Sequence, residues 1–116
     1  MDMEKFTERS RGFLQAAQTI AIREENQRVM PEHLLKALMD DEQGFASNLI
    51  ARAGGDAQAV RNAVDQAVSK LPKVSGGQGQ VYIDPSMVRV LDEAEKLAKK
   101  AGDSFVPAER VLTALA

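Results

Sequence analysis

His33 is the sole histidine of the chain. A Ser/His/Asp triad or a histidine-based metal site would have to be built around it. Its setting argues against both. It stands beside Leu34 and Leu35 in the first turn of a short helix expected to open at Pro31, and the chain has no cysteine to act as nucleophile or thiolate ligand. That setting favours a structural histidine, hydrogen-bonded locally. Asp40-Asp41-Glu42-Gln43-Gly44 gathers carboxylates but lacks the alternating spacing of a calcium loop, so it reads as a solvated helix end. Gly76-Gly77-Gln78-Gly79 has the glycine content of a phosphate loop. Such a loop also needs Gly-Lys-Ser/Thr opening a helix, so that backbone N–H groups, the lysine and a hydroxyl converge on phosphate. Here Gln80-Val81-Tyr82 follows, and a linker loop is expected. Glu93 and Glu95 with Lys96, Lys99 and Lys100 read as a solvated helix face with an i,i+4 pair between Glu95 and Lys99. The residues therefore point to no catalytic group, metal site or cofactor site, and to a binding or interaction domain.

Bulk properties narrow the partners. A chain of 116 residues is one ordinary domain, able to bury a core without staples. The absence of cysteine fits a reducing compartment. A net charge of −2, four Phe, one Tyr and no Trp give neither an electrostatic footprint nor a stacking platform for nucleic acid. No apolar run approaches the roughly 20 residues of a membrane span, and MDMEKFTERS lacks a signal-peptide core. Neither nucleic acid nor membrane is expected as a partner, and a cytoplasmic location is.

The periodicity predicts six helices. Met3, Phe6, Ser10, Phe13, Leu14, Ala17, Ile20 and Ala21 make one apolar face of a helix capped by Asp2 and running to about Glu25, with an αL stop at Asn26-Gln27. Pro31 opens a second helix with Leu34, Leu35 and Leu38 inward. A third carries Phe45, Leu49, Ile50 and Ala53 and ends at Gly54-Gly55. Asp56 caps a fourth, with Ala57, Val60, Ala63, Val64, Ala67, Val68 and Leu71 as its stripe, closed by Pro72. A mobile loop is expected over 73–80, and Val81-Tyr82-Ile83 as extended chain. Asp84-Pro85 starts a fifth helix reaching about Ala101, with Met87, Val90, Leu91, Ala94, Leu97 and Ala98 apolar and Gly102 as its stop. Pro107 starts a sixth, with Val111, Leu112 and Leu115 apolar.

The order repeats itself. Phe13-Leu14, Ala17 and Ala21 match Val90-Leu91, Ala94 and Ala98 at a separation of 77 residues (90 − 13). Leu34-Leu35 match Val111-Leu112 at the same separation, and Pro31 matches Pro107 one residue closer. The fold expected is all-α, built of duplicated four-helix half-domains related by pseudo-twofold symmetry. Half one covers 1–72, a Gly-rich inter-repeat loop 73–83, and an incomplete half two 84–116. The last helical pattern reaches Ala116 without a cap, so the native chain is expected to continue.

The chain as a whole resembles the N-terminal (Clp repeat) domain of the Clp ATPases, most closely the ClpB-type disaggregases. The resemblance is carried by Phe6-Thr7-Glu8-Arg9, Pro31-Glu32-His33-Leu34-Leu35-Lys36-Ala37-Leu38, Leu71-Pro72-Lys73-Val74-Ser75-Gly76, Val88-Arg89-Val90-Leu91, Ala94-Glu95-Lys96-Leu97-Ala98 and Gly102-Asp103-Ser104-Phe105-Val106. It implies an accessory, non-enzymatic module tethered to a hexameric ring of ATPase modules. Such a module engages unfolded or aggregated polypeptide, with the DnaK system cooperating. The isolated domain would be monomeric. ATP and magnesium would belong to the ATPase modules, since this chain has no Walker motif.

By the same resemblance the substrate surface has a polar cluster at Thr7, Asp103 and Glu109, beside an apolar groove walled by Leu97. Glu93 and Arg110 stand where relatives can be apolar. They would reduce apolar contact, pair with each other, or favour charged peptides. Taken without the resemblance, these residues also allow an ordinary reading. Thr7 is then a surface helix residue, Asp103 follows a helix stop, and Glu109 suits a helix start. Two other roles are compatible with the resemblance, an adaptor-docking domain of a Clp protease ATPase and a free-standing Clp-repeat regulatory protein.

Overall fold

The computed structural model describes residues 3–74 and 81–115. Its helices are α1 (Glu8–Arg23), α2 (Pro31–Met39), α3 (Phe45–Arg52), α4 (Ala57–Ser69), α5 (Pro85–Lys100) and α6 (Ala108–Leu115). Two short strands, β1 (Arg28–Val29) and β2 (Tyr82–Ile83), pair in parallel, Arg28 opposite Tyr82 and Val29 opposite Ile83. A 3-10 turn at Met3–Lys5 precedes α1. The glycine-rich stretch 75–80 and Asp2 lie outside the described residues.

Helix starts follow capping chemistry. Asp56 and Asp84 accept hydrogen bonds from the backbone N–H groups of Ala59 and Ser86, as expected from their positions. Ser86 donates to Asp84 through its hydroxyl as well. Those two bonds, helped by Arg28 and Arg89, hold the Asp84 carboxyl below its ordinary pKa. The first helix departs from expectation. It begins at Glu8, capped by Thr7, whose hydroxyl accepts from the Ser10 N–H. Met3 is exposed, and Phe6 precedes the helix in extended chain. The stop is also different: Glu25, not Asn26-Gln27, takes the left-handed conformation at φ 59°. The hydrogen bond that closes this stop runs from the Asn26 N–H to the Ala21 carbonyl.

The duplication is visible in hydrogen bonds. The Asn26→Ala21 bond has its counterpart, 77 residues on (103 − 26), in Asp103 N–H to the Ala98 carbonyl, with Gly102 at φ 82° in the place of Glu25. Each half also lends its entry segment to the other. Asp84 N–H donates to the Val29 carbonyl, and its counterpart Thr7 N–H donates to the Val106 carbonyl. The β1–β2 pair and the isolated Phe6–Val106 bridge are thus equivalent across the pseudo-twofold axis. This crossed pairing locks the halves together in register.

The core lies between α1, α2, α5 and α6. Phe6, Leu34, Leu38, Met39, Met87 and Val111 are fully buried within it, along with Ala17, Ala21, Ala94 and Ala98 on the facing helices. Alanines at these positions let helix backbones approach closely. Of the α4 stripe, Val64 and Val68 are buried but Ala63 is exposed. Lys36 fastens α2 to α4, lying 2.7 Å from Asp65 and 3.3 Å from Asp40. Burial opposes its charge, yet these carboxylates prevail and raise its pKa. Arg61 extends the clamp to Asp40 and to the Met39 carbonyl. Across the other side of α1, Phe13 stacks on Phe45 at 6.2 Å and the Arg9 guanidinium lies over the Phe45 ring.

His33 is structural. Its Nδ1 accepts from the Met30 N–H at 2.9 Å, so Nε2 carries the proton and donates to Asn26 Oδ1 at 2.8 Å. Asn26 in turn donates to the Pro72 carbonyl. This buried chain ties the start of α2 to the chain leaving α4, and burial lowers the pKa of His33.

Candidate functional site

The connection between α5 and α6 brings several of the singled-out residues to one corner. Gly102 turns the chain out of α5, and the next residue, Asp103, receives the Arg110 Nε–H at 3.0 Å. Both partners are about one-third exposed, so the pair positions the turn more than it stabilises the fold. Val106 then crosses to the opposite half, donating to the Lys5 carbonyl and accepting from Thr7 N–H. Thr7, Asp103 and Arg110 are therefore linked through a single short segment. Glu109 is exposed in the first turn of α6, where the helix dipole favours a carboxylate.

The Thr7 hydroxyl is committed internally. It accepts from Ser10 N–H and donates to Ser10 Oγ, and Ser10 Oγ donates to the Val106 carbonyl at 2.9 Å. Its role in the fold is that of a cap and a brace for the corner. Leu97 is half-buried on α5, one helical turn after the exposed Glu93. Of the alternatives open to Glu93 and Arg110, a pair between them is not formed, since Arg110 is turned toward Asp103 across the connection. The expected Glu95–Lys99 pair is likewise absent among the described residues, where the i,i+4 ion pair is Lys36–Asp40.

A shallow cavity of about 230 Å³ opens at this corner, lined by Lys5, Glu95, Lys99, Asp103, Phe105 and Val106 among others. Phe105, 56% exposed, stands at its edge. Sequence reasoning passed over Lys5 and Phe105 as site residues. The signal for Phe105 was present in the repeat, since its counterpart 77 residues earlier (105 − 77) is Arg28, a charged surface residue. No group of three or more metal-ligating side chains occurs among the described residues. None of their helices is long and apolar enough to cross a membrane.

The chain matches the Clp repeat (R) N-terminal domain family over residues 5–116, and it belongs to that family. It is 58% identical to the chaperone protein ClpB of Agrobacterium fabrum and 37% identical to that of Rickettsia felis, in each case over 99–100% of this chain. The chain spans only 13–14% of the length of those proteins. Among solved structures, the Hsp104 N-terminal domain of Candida albicans superposes with a TM-score of 0.85 at 22% identity, covering 96% of this chain and 73% of that one. The ClpV N-domain of Vibrio cholerae gives 0.81 at 20% identity, covering 97% of this chain and 66% of its own. A further structure, the ClpV N-domain in complex with a VipB peptide, gives 0.81 at 21% identity over 97% of this chain and 68% of that one. At these identities the structural matches establish the shared all-α fold.

Proposed function

We propose that this chain is the substrate-engaging N-terminal domain of a ClpB-type ATP-dependent disaggregase, which binds unfolded or aggregated polypeptide weakly on behalf of a ring of ATPase modules. The observation that carries this reading is identity of 58% to a ClpB chaperone across the whole of this chain. The peptide held by a ClpV N-domain supports the same kind of role for a related fold. The surface proposed is the corner around Thr7, Asp103 and Glu109, with Leu97, Glu93 and Arg110 on the adjoining helices. It offers polar contacts and modest apolar area, which suits broad and weak recognition. Ordering a flexible chain costs free energy that a shallow groove repays only in part. An isolated-domain Kd in the micromolar range or weaker follows, with avidity in a hexameric parent making up the difference. ATP, magnesium and cooperation with the DnaK system belong to that parent, and a cytoplasmic location fits it.

The test is titration of the isolated domain with a reduced and alkylated, permanently unfolded polypeptide. Asp103→Ala and Glu109→Ala should each weaken binding severalfold while leaving far-UV circular dichroism unchanged. Unaltered affinity in both variants would remove these residues from the site. Saturable binding of one folded adaptor, with no response to unfolded chains, would favour a docking domain of a Clp protease ATPase instead.

A further inference from the structure

Phe105 presents an aromatic ring to solvent on a short connection. Its pseudo-symmetric counterpart Arg28 instead extends toward Asp84, 3.4 Å away. At the rim of the cavity this ring adds exposed apolar area to a concave surface. The charges around that cavity are not balanced. Asp103 is neutralised by Arg110, whereas Lys5 and Lys99 have no carboxylate within ion-pair distance among the described residues. Glu95 is the remaining acid on the rim, so the unpaired charge there is net positive. The floor is apolar, formed by Ala98 and Val106, both buried.

We infer that this cavity reads the chemistry of the bound chain: it takes a polypeptide segment in which an apolar or aromatic side chain is followed closely by a carboxylate. The apolar group would lie against Phe105, and the carboxylate would meet the ammonium groups of Lys5 and Lys99. Lys5 belongs to the entry segment of half one and Lys99 to the last turn of α5, so the two cations flank the opening from different halves of the repeat. The helix dipole does not assist here, because Lys99 sits at the C-terminal, partially negative end of α5, whose carbonyls partly offset its charge. Recognition therefore rests on the side chains. This inference depends on the polypeptide-binding reading above and adds to it a preference among segments.

The experiment compares two short peptides differing only in charge, one with Phe-Asp-Asp flanked by Gly-Ser and one with Phe-Lys-Lys. Each is titrated into the 15N-labelled domain at low salt and again at higher salt. The expected result is that the acidic peptide binds at least about threefold more tightly, with shifts concentrated at Lys99 and Ser104–Val106. That preference should shrink as salt screens the exposed charges. Lys5→Gln combined with Lys99→Gln should abolish it, consistent with the modest worth of exposed ion pairs. Phe105→Ala should weaken both peptides by about tenfold through lost apolar contact, without unfolding an exposed position. Equal affinity for the two peptides, or shifts centred away from this corner, would overturn the charge preference and leave general polypeptide binding standing. Absence of binding by either peptide and by an unfolded polypeptide would overturn both.

Discussion

Acidification should destabilise this domain through one buried side chain. His33 is fully buried and accepts the Met30 N–H at Nδ1, so only the neutral ring fits its site. Burial lowers its pKa below the ordinary 6.5. The unfolded chain takes up a proton below about pH 6.5, and the folded chain resists it until the lowered value is reached. The stabilising difference is therefore complete above pH 6.5 and is lost progressively as pH falls below it. Protonation of the unfolded chain sets a ceiling of about 1.4 kcal/mol on the loss at pH 5.5 for this one group, a tenfold change in the folding equilibrium. In a domain of this size that ceiling corresponds to a fall in Tm of at most roughly 4–10 °C. Urea unfolding followed by circular dichroism at pH 8.0, 6.5 and 5.5 measures it. His33→Gln should be less stable throughout but show a flatter pH dependence across this window. Parallel pH curves for the two proteins would refute the assignment, as would a wild-type curve flat between pH 8.0 and 5.5. The Asp84 carboxyl cannot supply this slope. Its pKa is lowered, so its contribution is present above its ordinary acidic value and is lost only as pH falls further.

Two more perturbations test the packing and the repeat. Leu91→Ala removes a side chain that is 5% exposed in the middle of α5, and should cost about 2–5 kcal/mol by denaturant unfolding. Glu25→Gly should stabilise the domain by about 0.5–1 kcal/mol, since Glu25 holds φ 59° where its counterpart is Gly102. Destabilisation by Glu25→Gly would show that its side chain contributes more than its backbone strain costs.

Much of this architecture was legible in the sequence because helices announce themselves over many residues. Pro31, Asp56 and Pro85 each marked a helix start that the structure keeps, and the 77-residue echo announced the two halves. The failures were local. Strands of two residues have no period to detect, so β1 at Arg28–Val29 left no trace. Phe6 stands three residues after Met3 and four before the buried Ser10 and so mimicked a helical position, although it pairs with Val106, a hundred residues away (106 − 6). Thr7 lacked the Glu three residues later that marks a reciprocal cap, since Ser10 occupies that place. Glu25 adopts a conformation usually left to Gly or Asn, which sequence preference steered toward Asn26. The candidate site was partly legible: Asp103 and Arg110 were both singled out, but their partnership with each other depends on how the connection folds. Lys5 and Phe105 join the same cavity only because the entry segment of one half crosses to the other.

The most direct measurement for the proposed role is chemical-shift mapping of the 15N-labelled domain with a permanently unfolded polypeptide. Weak, fast-exchanging binding is expected, with the largest shifts at Thr7, Leu97 and the segment from Asp103 to Arg110. Shifts confined to the α3–α4 face, or no shifts at millimolar polypeptide, would contradict it.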